Sequence, residues 1–119
     1  MKKLIIVGAG GFGRELYTWA QDHPDCGVIW AIAGFLDDNP AALSGYHYAV
    51  GVIGSVAAYQ PAEDELLVCA IGQPRIKQQV CESLLARAAR FISLVHPSVI
   101  LGQNVDLGEG VILCPRVTL

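Results

Sequence analysis

A short apolar run that ends abruptly in glycines leaves few architectures open. Leu4-Ile5-Ile6-Val7 is followed without a spacer by Gly8-Ala9-Gly10-Gly11-Phe12-Gly13. Four consecutive aliphatic residues with no polar alternation suit a strand covered on both faces, as in a parallel sheet, rather than a hairpin strand with one wet face. Next, Gly13 to Asp22 carries Leu16, Trp19 and Ala20 at helical spacing and stops before His23-Pro24, which predicts a helix. Strand, glycine turn and helix therefore open the chain.

The same alternation continues. Val28 to Leu36 is a second apolar run that breaks at the turn-forming Asp37-Asp38-Asn39-Pro40. Between Ala41 and Gly54 the pattern is weaker, and we expect short strands at Tyr46 to Tyr48 and Val50 to Ile53, then a brief helix from Ser55 to Tyr59. Leu66 to Ile71 is a further buried strand ending at Gly72. Pro74 to Arg90 aligns Ile76, Val80, Leu84, Leu85 and Ala88 along one helical face. Phe91 to Val95 then reads as the last strand. Strands alternating with helices imply βαβ units and a parallel sheet with helices on both faces, a Rossmann-like α/β domain over residues 1–95.

After His96-Pro97 the period becomes six. Val99, Val105, Val111 and Val117 keep that spacing, as do Leu101, Leu107, Leu113 and Leu119, while Gly102 and Gly108 follow the first two leucines in register. An ordinary alternating strand gives Val-x-Leu locally but does not hold such a register. A hexapeptide parallel β-helix does, with each aliphatic residue pointing into the coil. Residues 96–119 are thus expected to begin a left-handed β-helix, which a solenoid's need for several repeats and a cap suggests is continued in a longer protein.

Composition excludes several classes. A net charge of −3 with no run of Lys or Arg offers nothing to a phosphate backbone, so nucleic acid is set aside. Hydrophobic residues make up 53% of the 119 residues, too many for a disordered chain, and part of that apolar surface is expected to need a partner. No apolar run approaches the ~20 residues of a membrane span, and the amino-terminal run is too short for a signal peptide. Membrane insertion is not expected, and the expected location is cytoplasmic. Cys26, Cys69, Cys81 and Cys114 are far apart with no Cys-x-x-Cys pair, so no metal or redox motif is read.

The candidate site follows from the strand ends. Gly8, Gly10 and Gly13 between a strand and a helix form the phosphate-binding turn, where absent side chains let a phosphate approach the backbone and the helix amino end favours an anion. Packing of helix on strand would also require glycines there. Asp37 and Asp38 end the second strand, where a carboxylate reaches a ribose hydroxyl or a base edge; capping of the turn is the competing role. Gly72 ends the later strand and forms a third side. Arg14 and Arg75 are weaker phosphate candidates, each equally suited to the surface. His96 reads as a junction residue, and His23 and His47 sit in loops without an evident partner. No catalytic residue and no metal ligand is assigned.

Taken together, Lys3 to Glu15 with its glycine turn, Gly34-Phe35-Leu36-Asp37-Asp38, Ala70-Ile71-Gly72 with Arg75, His96-Pro97 and the hexapeptides resemble the NeuD/PglD-type sugar acyltransferases of bacterial surface-glycan biosynthesis. The resemblance covers essentially the whole chain, as the amino-terminal part of such a protein. It implies that a nucleotide-activated amino sugar, a UDP-sugar or similar, contacts Gly10, Gly11 and Phe12, then Asp37 and Asp38, then Gly72. It also implies that acetyl-CoA is held by a homotrimeric β-helix. The general base of that family is a histidine further along the β-helix, which no residue here matches, so these 119 residues are expected to be inactive alone. Some relatives carry a histidine where this chain has Phe12, which leaves the sugar nucleotide open, and the resemblance leaves open whether nitrogen or oxygen is acetylated. Two other readings remain: an NAD-binding module of a dehydrogenase or redox-sensing regulator, and a Rossmann-like spacer with an empty site.

Overall fold

The computed structural model describes residues 1–95 and the strand Ile112–Leu113, with backbone only for Val95, Ile112 and Leu113. Its elements run β1 (Lys2–Val7), α1 (Gly11–Ala20), β2 (Trp30–Leu36), β3 (Val52–Gly54), β4 (Glu65–Cys69), α2 (Pro74–Ala86), β5 (Leu94–Val95) and β6 (Ile112–Leu113). A four-stranded sheet has the order β3-β2-β1-β4, every pairing parallel. The chain lays β2 and β3 on one side of β1, then crosses to place β4 on the other. The direction of winding reverses at β1, where open α/β sheets form a crevice outside their carboxyl ends.

The all-aliphatic run explains why β1 is central. Leu4, Ile5, Ile6 and Val7 are completely buried, with Leu4 and Ile6 in one core and Ile5 and Val7 in the other. The first core adds Leu16, Tyr17, Trp19 and Ala20 of α1; the second adds Leu84 of α2, with Val80 packed against it. The helices therefore cover opposite faces, as a run without polar alternation requires.

Several boundaries move, each for a local reason. The first helix begins at Gly11 and ends at Ala20, not Asp22. The second strand starts at Trp30; Val28 and Ile29 are exposed in a turn, where the N–H groups of Val28, Ile29 and Trp30 converge on the Asp25 carbonyl. Tyr46 to Tyr48 form no strand but belong to a loop, and Ser55 to Tyr59 make a turn rather than a helix. The strand expected over Leu66 to Ile71 is β4, Glu65–Cys69. The second helix stops at Ala86 because Ala88 adopts a left-handed φ of 66°, which sends the chain back toward the sheet.

The expected last strand divides in two. Phe91 bridges Leu67 beside β4, whereas Leu94–Val95 leaves that sheet and pairs in parallel with Ile112–Leu113. His96 and the hexapeptide positions other than Leu113 lie outside the described residues, as does Cys114.

Candidate functional site

Two glycines of the opening turn are fixed by packing. Gly8 has φ 104°, and a Cβ there would lie 3.1 Å from the Ala70 carbonyl oxygen, just past the last pairing of β1 with β4. A Cβ on Gly13 would lie 1.8 Å from the Gly8 oxygen, so α1 rests directly on the turn. Gly10 and Gly72 differ: a Cβ on either would have no atom within 4 Å, and one on Gly11 would meet only an Arg14 nitrogen at 4.0 Å. Packing does not explain these three. They expose bare backbone at the carboxyl ends of β1 and β4.

Gly10 is the N-cap of α1 and supplies no capping side chain; no acidic residue occupies the first turn. The amino end of α1 therefore has neither a capping side chain nor an acidic residue to offset its N–H groups and partial positive charge. The amino end of α2 is closed by its own cap, the Gln73 side chain accepting from the Ile76 N–H at 2.7 Å. Arg75 is exposed in that first turn.

The two aspartates have structural partners as well as a place in the crevice. Asp37 accepts from the Ala9 N–H through Oδ2 at 2.9 Å and from the Asn39 N–H through Oδ1 at 2.9 Å, tying the glycine turn to the end of β2. Asp38 Oδ1 accepts from the Val56 N–H at 3.0 Å, tying β2 to the turn after β3. Capping and ligand contact are compatible, since each carboxylate has further lone pairs. Gly8, Asp37 and Asp38 line one cleft of about 170 Å3 with Leu36, Val56, Ile71, Ile76 and Val80. It is apolar toward α2 and acidic at its rim.

Not every candidate meets there. Phe12 is half-buried against the α1-side core, and its ring does not line the cleft. Arg14 lies along the turn on the same side: its Nη1 donates to the Ala9 carbonyl at 3.1 Å and its Cζ sits 4.1 Å over the ring of Tyr46. Sequence reasoning missed Tyr46 and Val56 as neighbours of the site, since nothing in a loop's local pattern says where it returns, and read Ile76 and Val80 only as a core face of α2. It also left His23 without a partner, whereas His23 Nδ1 accepts from the Asp25 N–H at 3.1 Å and the ring stands 5.7 Å from that of Trp30. Those residues line a second hollow of about 300 Å3 at the amino ends of the strands.

A parallel sheet with helices on both faces, a glycine turn at the reversal of strand order and acidic residues at the next strand end define a Rossmann-like α/β domain. Comparison with known proteins makes this more particular. Residues 3–84, more than half of the chain, match the PglD N-terminal domain, and the chain belongs to that family. It is 29% identical over 115 residues to UDP-N-acetylbacillosamine N-acetyltransferase of Bacillus subtilis (strain 168), covering 95% of this chain and 51% of that protein. GDP-perosamine N-acetyltransferase of Escherichia coli O157:H7 is 29% identical over 116 residues, covering 96% and 52%. Among solved structures, the acetyltransferase domain of PglB from Neisseria gonorrhoeae FA1090, in complex with acetyl coenzyme A, superposes with a TM-score of 0.73 at 26% identity, covering 98% of this chain and 55% of that one. PerB from Caulobacter crescentus, in complex with CoA and GDP-perosamine, shares the fold with a TM-score of 0.77 at 24% identity, covering 100% and 54%. The chain thus spans about half the length of the curated relatives it matches. These relatives give no support to a dehydrogenase module.

Proposed function

We propose that this chain is the nucleotide-sugar-binding part of an acetyl-CoA-dependent N-acetyltransferase that acts on a nucleotide-activated amino sugar in surface-glycan biosynthesis. The observation that carries the reading is the contrast among the glycines: Gly8 and Gly13 are locked by packing, while Gly10, Gly11 and Gly72 face open space around an uncapped helix end. Such a cradle suits a diphosphate, with the Gly11, Phe12 and Gly13 N–H groups directed at it. Phe12 then contributes its backbone rather than its ring. Asp37 and Asp38, at the rim of the cleft, are placed for the ribose or base, and Arg14 and Arg75 are the nearby cations. Names of relatives that carry UDP- and GDP-linked sugars support the ligand class and leave the base open.

In this reading acetyl-CoA is bound by the β-helix part of the protein, as a homotrimer in the cytoplasm. The sugar amine attacks the thioester carbonyl carbon, a C–N bond forms as the C–S bond breaks, the histidine of the β-helix takes the amine proton, and CoA leaves as the thiolate that receives it. The division expected at 95/96 is placed a few residues earlier in this reading. Leu94 pairs with Ile112 and Val95 with Leu113, partners 18 residues apart, three times the six-residue repeat. One triangular coil has that length, and Val95 stands six residues before Leu101 in the same register. The β-helix would then begin at β5.

Titration calorimetry of this chain with UDP- and GDP-linked amino sugars tests the proposal. Binding that is lost in Gly11→Asp, which puts a carboxylate into the cradle, is the expected result. No heat with any nucleotide sugar, for this chain and for a longer protein carrying complete coils, would overturn it.

A further inference from the structure

The loop after β2 is not slack. Tyr48 packs edge-on against Tyr17 at 5.0 Å and against Phe35 at 6.0 Å, both rings of the α1-side core. Tyr46 stands 6.4 Å from Tyr48, and the Arg14 guanidinium lies on Tyr46. Short turns fix the path between: the N–H of Ala42 donates to the Asn39 carbonyl, that of Ser44 to Ala41 and that of Tyr46 to Leu43, with Gly45 at φ 84°. A ladder of rings therefore runs from the sheet core to one cation.

That cation is held at the rim of the glycine cradle. Among the described residues Arg14 donates one hydrogen bond, to the Ala9 carbonyl within the turn itself, and its Nη2 is the one atom a Cβ on Gly11 would meet. The fork has further N–H donors, and stacking on Tyr46 leaves its edge available to an oxyanion. No carboxylate partner of Arg14 is found among the described residues, so its remaining donors are not taken up by an ion pair there.

Resting on the nucleotide reading above, we propose that Arg14, held in place by Tyr46, reads the second phosphate of the ligand and sets a preference for nucleoside diphosphates over monophosphates. The helix end and the glycine backbone hold one phosphate through neutral N–H groups. Arg14 adds a charged donor that only a longer, more negative chain of phosphates reaches. Tyr46 is a positioning residue: its ring fixes the guanidinium plane and pre-empties the rotamers a free arginine would sample.

The test is titration of this chain with UDP, UMP, GDP and GMP. Loss of a charge-assisted bond predicts that Arg14→Gln and Tyr46→Ala each weaken the diphosphate about tenfold and change the monophosphate by less than about threefold. Tyr46→Phe keeps the ring face and is expected to stay within about twofold of the parent for both. Arg14→Lys, which retains charge without the fork, covers the case in which Arg14→Gln does not fold; its loss should again fall on the diphosphate. Equal weakening of both ligands, no weakening of either, or a Tyr46→Phe variant as poor as Tyr46→Ala would overturn the proposal while leaving the nucleotide site intact. Binding of none of the four, by this chain and by a longer protein carrying complete coils, would overturn the nucleotide reading and this inference with it.

Discussion

Replacing Gly13 by alanine sets two effects of opposite sign against each other. In a helix interior the exchange usually stabilises by about 1 kcal/mol, because glycine loses more backbone entropy. Here the new Cβ would sit 1.8 Å from the Gly8 oxygen and 2.8 Å from the Gly8 carbon, where ordinary contact begins near 3.4 Å, so turn and helix must part by roughly 1.6 Å. Both obstructing atoms are backbone, in a turn held by the Ala9 and Asp37 bond and by the Ala70 N–H donating to Val7. Relief means lifting α1, with Leu16, Tyr17 and Trp19, off its core. Overpacking costs about 1–3 kcal/mol even where side chains can yield, so a net loss of about 3 kcal/mol is expected, a fall in Tm of roughly 10 °C. Urea denaturation followed by far-ultraviolet circular dichroism measures it. Gly11→Ala is the control: its Cβ meets nothing closer than 4.0 Å, so stability should hold within about 0.5 kcal/mol while nucleotide affinity falls. A Gly13→Ala chain as stable as the parent, or a Gly11→Ala chain equally damaged, would refute the assignment of packing to one glycine and ligand space to the other.

Arg87 donates to the carbonyls of Val56, Ala57, Tyr59 and Ser83 and to Ser83 Oγ, pinning the turn after β3 to the end of α2; Arg87→Met should cost about 2 kcal/mol in urea denaturation and speed hydrogen exchange in that turn. Ala88→Gly should stabilise by about 0.5–1 kcal/mol, because its φ of 66° suits glycine. Burial, then the hydrogen bond Tyr59 donates to Glu65 and the charges of Glu65 and Asp64, raise the Tyr59 phenol above its ordinary value of 10.0. The folded state thus favours the neutral phenol: this stabilisation is intact below about pH 10 and is lost as pH rises beyond it, a decline in the urea midpoint that Tyr59→Phe should flatten. Burial likewise pushes the Cys81 thiol up to about 12, so iodoacetamide should label Cys81 at pH 8 more slowly than a free thiol.

Much of the architecture was legible because it rests on local grammar. Leu4 to Val7 could only be a strand covered twice, and the glycines after it could only be a turn into a helix. The candidate site was half legible for the same reason: Gly8, Asp37 and Asp38 stand at strand ends whose positions follow from the strands. The loop from Ala41 to Gly51 was misread because Tyr46 and Tyr48 look like strand residues by type, and only their fit against Arg14, Tyr17 and Phe35 makes them a loop.

The sequence alone determined the parallel sheet, its two helices and the glycine turn between β1 and α1, since apolar run length and glycine spacing act over a few residues. Tertiary structure decided what each glycine is for, because whether a Cβ meets backbone or open space depends on strands and helices far apart in the chain. It also decided that Leu94–Val95 leaves the sheet to join a strand 18 residues on, a choice between two partners that five apolar residues in a row do not encode.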